Sequence, residues 1–136
     1  MRVKEIVHNV ARVSSNTTVS DAAEMMDQKS IGSVLIEKDD KIIGIMTERD
    51  ILKKIVAKGE NPDVLRVKDI MSYPIITIDA NEHILDACAK INHHRIRRLI
   101  VTENGEVIGK VTSNSIARNI KFSLAKGTPV YTRPEY

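Results

Sequence analysis

A chain of 136 residues has room for one ordinary domain, or for two small units that bury their apolar faces against each other. With 42% hydrophobic and 29% charged residues it is neither a disordered nor a membrane composition, and no apolar run approaches the roughly 20 residues that span a bilayer. The net charge of +3 is too mild to mark a nucleic-acid binder, Met1-Arg2-Val3-Lys4-Glu5 lacks the apolar core of a signal peptide, and Cys88 is the single cysteine, which excludes an internal disulfide. A cytoplasmic protein without membrane contact is expected.

Taken in chain order, residues 10–14 form a short β-rich stretch, and Thr18 then offers a capping hydroxyl before the helical stripe Val19, Ala22, Ala23 and Met26. Two apolar runs follow, Val34-Leu35-Ile36 and Ile42-Ile43, parted by Asp39-Asp40 as in a β-hairpin, and a helix carrying Ile51, Leu52, Ile55 and Val56 closes the unit. Gly59-Glu60-Asn61-Pro62-Asp63 reads as a linker. The same order then returns: a β-rich stretch at 75–79, a capping group at Asn81, the stripe Ile84, Ala87, Cys88 and Ile91, the runs Leu99-Ile100-Val101 and Val107-Ile108 around Asn104-Gly105, and a helix with Ile116, Ile120 and Leu124. A shift of 65 superposes Asn16 on Asn81, Asp21 on Asp86, Ile31 on Ile96, Gly44 on Gly109, Thr47 on Thr112 and Ile51 on Ile116. One supersecondary unit, β-α-β-β-α, is therefore used twice. The predicted fold class is α+β, with repeats at 1–58 and 68–126, a linker at 59–67 and a loose tail at 127–136.

Chemistry concentrates in two places. Gly44-Ile45-Met46-Thr47-Glu48-Arg49-Asp50 sets a hydroxyl and a carboxylate three residues apart at a strand-to-helix junction. Two readings stand: a capping box in which Asp50 reaches back to Thr47, or an anion site at a helix start with Thr47 on a phosphate and Asp50 on ribose hydroxyls. Asp is a poorer third-position partner than Glu or Gln, which favours another task for Asp50. The second place is His93-His94-Arg95-Ile96-Arg97-Arg98, where Arg97 and Arg98 align with Gly32 and Ser33 and so are dispensable for the fold. The cluster reads as a solvated strand edge, a nucleic-acid surface without aromatics to stack bases, or a phosphate clamp. His93 and His94 lack a third partner for a metal, Cys88 and the pair Met25, Met26 read as packing, and no nucleophile triad, Walker loop or Gly-x-Gly-x-x-Gly occurs. An enzyme is not expected, nor a catalytic cofactor.

Tandem units of this order, with Gly-hydrophobic-hydrophobic-Thr-x-x-Asp at Gly44 in one and a Gly-x-hydrophobic-Thr counterpart at Gly109 in the other, resemble a pair of cystathionine β-synthase (CBS) domains, a Bateman module. The resemblance runs from about Ile6 to Phe122 and is supported by Asp69-Ile70-Met71-Ser72-Tyr73-Pro74-Ile75-Ile76-Thr77 and by Ile96-Arg97-Arg98-Leu99-Ile100-Val101. It implies two repeats packed sheet to sheet with pseudo-twofold symmetry, and a regulatory sensor that binds AMP, ADP, ATP or S-adenosylmethionine in the cleft between repeats, AMP being the leading candidate. Carried onto this chain, Thr47 and Asp50 hold phosphate and ribose, Ile75, Ile76 and Thr77 line the base pocket, and Arg97 and Arg98, beside Leu99 and Ile100, meet the phosphates. The symmetry-related cleft, with Val10, Ala11, Ser33, Thr112 and Ser115, departs from the pattern: Ser115 replaces the ribose-binding Asp and Gly32-Ser33 the arginines, so a weaker or empty second site is expected. The resemblance also implies a homodimer, served by an exposed apolar helix face after Thr47 or Thr112, acting in trans on an unknown effector protein. The alternatives are a nucleic-acid binder using Arg95, Arg97, Arg98, Arg118 and Lys121, and a ligand-free structural dimerisation module.

Overall fold

The computed structural model describes residues 1–127, with side chains described through Ile120. It forms two compact units, one made of Val10–Ile75, the other of Met1–Asn9 together with the chain from Ile76 onward.

The unit Val10–Ile75 contains β1 (Ala11–Ser14), α1 (Val19–Lys29), β2 (Ser33–Lys38), β3 (Lys41–Thr47), α2 (Glu48–Ile51), a π-helical turn (Leu52–Val56) and α3 (Val67–Ile70). β1 lies parallel to β2, and β2 pairs antiparallel with β3 in a three-stranded sheet. Asp39 and Asp40 take φ of 51° and 62° at the hairpin tip, the left-handed pair that a two-residue type I′ turn requires and that short polar side chains tolerate. α1 starts because Thr18 accepts the amide of Asp21 at 3.1 Å, and it stops at Ser30, whose φ of 52° ends the helical run. Its stripe Val19, Ala22 and Met26 packs with Val34 and Ile36 of β2, Met46 of β3, Ile55, Val67 and Ile70.

The other unit begins with a single 3-10 turn (Val3–Glu5) and continues with β4 (Thr77–Asp79), α4 (Ile84–His94), β5 (Arg98–Glu103), β6 (Glu106–Thr112) and α5 (Ser113–Gly127). The sheet repeats the same topology, β4 parallel to β5 and β5 antiparallel to β6. Asn104 and Gly105 form its turn at φ 52° and 80°. Val3, Ile6, Ile78, Ile84, Ala87, Ile91, Leu99, Val101, Val111 and Ile116 make its core. The mixed α+β class and the twofold use of one unit are thus observed.

The segment ahead of each β-rich stretch is also a repeat. Arg2-Val3-Lys4-Glu5-Ile6 matches Arg66-Val67-Lys68-Asp69-Ile70 at a shift of 64, one less than the shift that aligns the sheets. Val3 and Val67 are both fully buried, and in each segment the acid accepts a backbone amide three residues back, Glu5 from Arg2 and Asp69 from Arg66. The lead-in segment starting at Val67 belongs to the unit of the first sheet, and the one starting at Val3 to the unit of the second. Residues 61–67 are bonded down rather than free: Val19 N donates to Leu65 O at 3.0 Å, Ser20 N to Pro62 O at 3.0 Å and Val67 N to Thr17 O at 2.8 Å.

One local expectation is corrected. The N-cap of α4 is His83, whose Nδ1 accepts the amide of Leu85 at 3.1 Å; Asn81 sits earlier, in a turn closed by its own amide on Asp79 Oδ1 at 2.8 Å. The imidazole takes the place that Thr18 holds in the other copy. In the helix after β3 only Ile55 of the apolar set is fully buried, while Leu52 and Val56 are 60% and 66% exposed. The tail expected at 127–136 falls, after Gly127, outside the described residues, as do the side chains of Lys121 and Leu124.

Candidate functional site

The chain crosses itself at each sheet. Ile45 and Ser72 exchange backbone hydrogen bonds at 3.0 and 2.8 Å, and a Cβ added to Gly44 would stand 2.5 Å from Met71 Sδ and 3.0 Å from Ser72 O. His8 and Lys110 exchange the corresponding pair at 2.8 and 2.8 Å, with a Cβ on Gly109 only 2.2 Å from His8 O. The glycine of each motif, Gly44-Ile45-Met46-Thr47 and Gly109-Lys110-Val111-Thr112, therefore admits the chain's own lead-in segment.

That crossing brings Ser72 to the start of α2. Thr47 ends β3 and caps the helix: its Oγ1 accepts Asp50 N at 3.4 Å, while its amide and hydroxyl donate to Asp50 Oδ2 at 2.9 and 3.2 Å. The capping box is formed, so the shorter acid is no obstacle to it. The other carboxylate oxygen, Oδ1, accepts Ser72 Oγ at 2.8 Å and pairs with Lys54 Nζ at 3.0 Å. Asp50 is only 6% exposed, and a carboxylate so enclosed stays in the fold only when its oxygens are bonded. A carboxylate offers about four lone-pair directions, and these four donors engage both oxygens.

The counterpart in the other unit is neutral. Ser115 Oγ accepts Thr112 N at 3.0 Å and donates to Thr112 O at 2.9 Å, and Ser115 N donates to Thr112 Oγ1 at 3.1 Å. Asn119, aligned with Lys54, donates to Ser115 O at 2.6 Å. Helix initiation at this junction therefore does not need a carboxylate, and the Asp50 cluster is confined to one copy.

The remaining candidates divide by burial. Arg97 is exposed, with its carbonyl accepting Ser113 N at 2.8 Å, and Arg98 opens β5 half-buried. Leu99 and Ile100 are 0% and 2% exposed, and Leu99 is a member of its unit's core, which assigns it to packing. Ile75, Ile76 and Thr77 are half-buried; Ile76 O accepts Ile100 N at 3.0 Å and Thr77 O accepts Lys90 Nζ at 2.6 Å. Val10 and Ala11 are half-buried, and Ser33 is fully buried. His93 and His94 meet edge to face with ring centroids 4.9 Å apart, and among the described residues no group of three His, Cys, Asp or Glu is placed to hold a metal ion. Cys88 and Met25 pack against the cores of their units, Met26 within one. No helix among the described residues is long and apolar enough to cross a membrane. The residues that the sequence did not single out are Ser72 and Lys54.

The CBS domain profile matches residues 3–57 and 67–121, starting in both copies within the lead-in segment. An uncharacterised protein of Methanopyrus kandleri is 43% identical over 115 residues, covering 82% of this chain, which in turn spans 58% of that protein. The CBS domain-containing protein YhcV of Bacillus subtilis is 30% identical over 119 residues, covering 88% of this chain and 84% of its own length. Among solved structures, the CBS domain protein PAE2072 from Pyrobaculum aerophilum, complexed with AMP, shares the fold with a TM-score of 0.80 at 24% identity, covering 93% of this chain and 99% of that one. With two profile matches that together fill most of its length, the chain belongs to the CBS domain family.

Proposed function

We propose that this chain is a regulatory sensor module that binds an adenosyl ligand, AMP first among AMP, ADP, ATP and S-adenosylmethionine, and acts in trans on an effector protein without catalysis of its own. The observation that carries the reading is the Asp50 cluster: a buried carboxylate at a helix start in one copy, where the other copy has a serine at the matching position. Membership of the CBS domain family, and AMP in a protein of the same fold, supply the ligand class. In this reading Thr47 and Asp50 serve phosphate and ribose, Ile75, Ile76 and Thr77 the base, and Arg97 and Arg98 the phosphates. Thr112 and Ser115 provide a weaker or empty counterpart. Leu52 and Val56, exposed one helical turn apart, support a homodimer.

The test is a thermal-shift screen of the five ligands AMP, ADP, ATP, S-adenosylmethionine and NAD, with titration of the best. A hundredfold excess over the dissociation constant stabilises by about 2.7 kcal/mol. A flat response to all of them, with binding to a nucleic acid that weakens steeply with salt, would assign the basic cluster at Arg95, Arg97 and Arg98 to nucleic acid instead.

A further inference from the structure

Asp50 in this structure has no oxygen left over for a ligand. Oδ2 is taken by the amide and hydroxyl of Thr47, which also start the helix, and Oδ1 by Ser72 Oγ and Lys54 Nζ. A sugar hydroxyl that donates to this carboxylate must therefore displace a donor already present. The four are not equally replaceable. The Thr47 amide is fixed by the backbone, and the Ser72 hydroxyl, though exposed, is a short group on a backbone held where its segment crosses Gly44. Lys54 sits at the end of a flexible side chain that is 36% exposed, and water can take back its ammonium.

Lys54 is also placed with care. It rides on the π-helical turn Leu52–Val56, and its ammonium donates to Ile70 O at 2.8 Å while pairing with Asp50 at 3.0 Å, so one cation ties the helix start to α3. In the other copy the acid and the cation are both gone, replaced by Ser115 and Asn119, and Ser72 gives way to His8 in the lead-in segment. Acid, cation and hydroxyl change together, as parts of one device would.

We propose that Lys54 is an internal competitor for the ligand at Asp50: its ammonium occupies the carboxylate in the empty protein and is turned out when a ligand hydroxyl binds. This rests on the adenosyl reading of the site. It makes Lys54 a determinant of affinity that opposes binding, which a residue serving only to brace α3 would not be.

The test is calorimetric titration of AMP into wild type, Lys54→Met, Lys54→Gln and Lys54→Arg, with a thermal melt of each. Met and Gln keep the length of the side chain and remove the charge, and two such variants guard against one that fails to fold. A pair this open to solvent is a modest opponent, so AMP should bind about two- to fivefold more tightly to Lys54→Met and Lys54→Gln, and close to wild type for Lys54→Arg. Unchanged or weaker AMP binding in the neutral variants, beside binding to wild type, overturns the competitor and leaves the adenosyl reading intact. A fall in affinity in particular would make Lys54 a phosphate contact. No AMP binding by any of the four proteins overturns both.

Discussion

Replacing Asp50 with alanine perturbs the fold in a way that separates structure from ligand chemistry. The substitution removes the cap on the Thr47 amide, worth about 1 kcal/mol, and the hydrogen bond from Ser72 to a charged acceptor, worth about 1.5 kcal/mol because Ser72 is exposed. The Lys54 pair adds at most about 1 kcal/mol, because that ammonium is 36% exposed and readily resolvated. A loss of about 2.5–3.5 kcal/mol follows, or roughly 9–12 °C in melting temperature for a chain of this size. Ser115→Ala removes a neutral cap alone and should cost about 0.5–1.5 kcal/mol. Urea unfolding of both variants without ligand, read by circular dichroism, gives the two losses directly. An Asp50→Ala loss no larger than that of Ser115→Ala would refute the view that the carboxylate is held by an enclosed network. It would return Asp50 to the role of a simple cap.

Gly44→Ala and Gly109→Ala should both destabilise, and Gly109→Ala more, since its Cβ would meet the His8 carbonyl at 2.2 Å whereas that of Gly44 meets first the pliable Met71 thioether at 2.5 Å; melting temperatures rank them. Thr18→Ala should cost about 1 kcal/mol through loss of the α1 cap, while Asn81→Ala, outside the cap position of α4, should cost less; denaturant midpoints decide the order. Arg98→Ala should weaken AMP binding about tenfold or more while leaving S-adenosylmethionine, which lacks phosphates, unaffected; parallel titrations of both ligands test the assignment.

Much of this architecture could be read from residue pattern because it is specified locally. Asp39-Asp40 and Asn104-Gly105 are pairs that tolerate positive φ, and the helical stripes of α1 and α4 follow the 3.6-residue period. What escaped was non-local or out of step. The lead-in repeat at Arg2 and Arg66 is the closest internal match in the chain, yet a single extra residue before the second sheet puts it at 64 while the sheets align at 65. His83 carries no ordinary cap signal, because an imidazole accepts only through an unprotonated nitrogen, unlike the hydroxyl of Thr18. At the candidate site, Thr47 and Asp50 were visible in one short motif. Lys54 stood one helical turn further on, where an acid-to-base spacing of four was open to notice. Ser72 lies 22 residues from Asp50 and reaches it only because the chain crosses over Gly44, which no local pattern encodes.

On the proposed function, an adenosyl ligand binds through the Asp50 copy of the motif and not through its Ser115 counterpart. Calorimetric titration of AMP into wild type, Asp50→Asn and Ser115→Ala tests it most directly, because Asn keeps the shape of the buried side chain and removes its charge. Wild type should bind AMP saturably, Asp50→Asn should lose about two decades in affinity, and Ser115→Ala should bind close to wild type. Equal losses in the two variants, or full binding by Asp50→Asn, would contradict it.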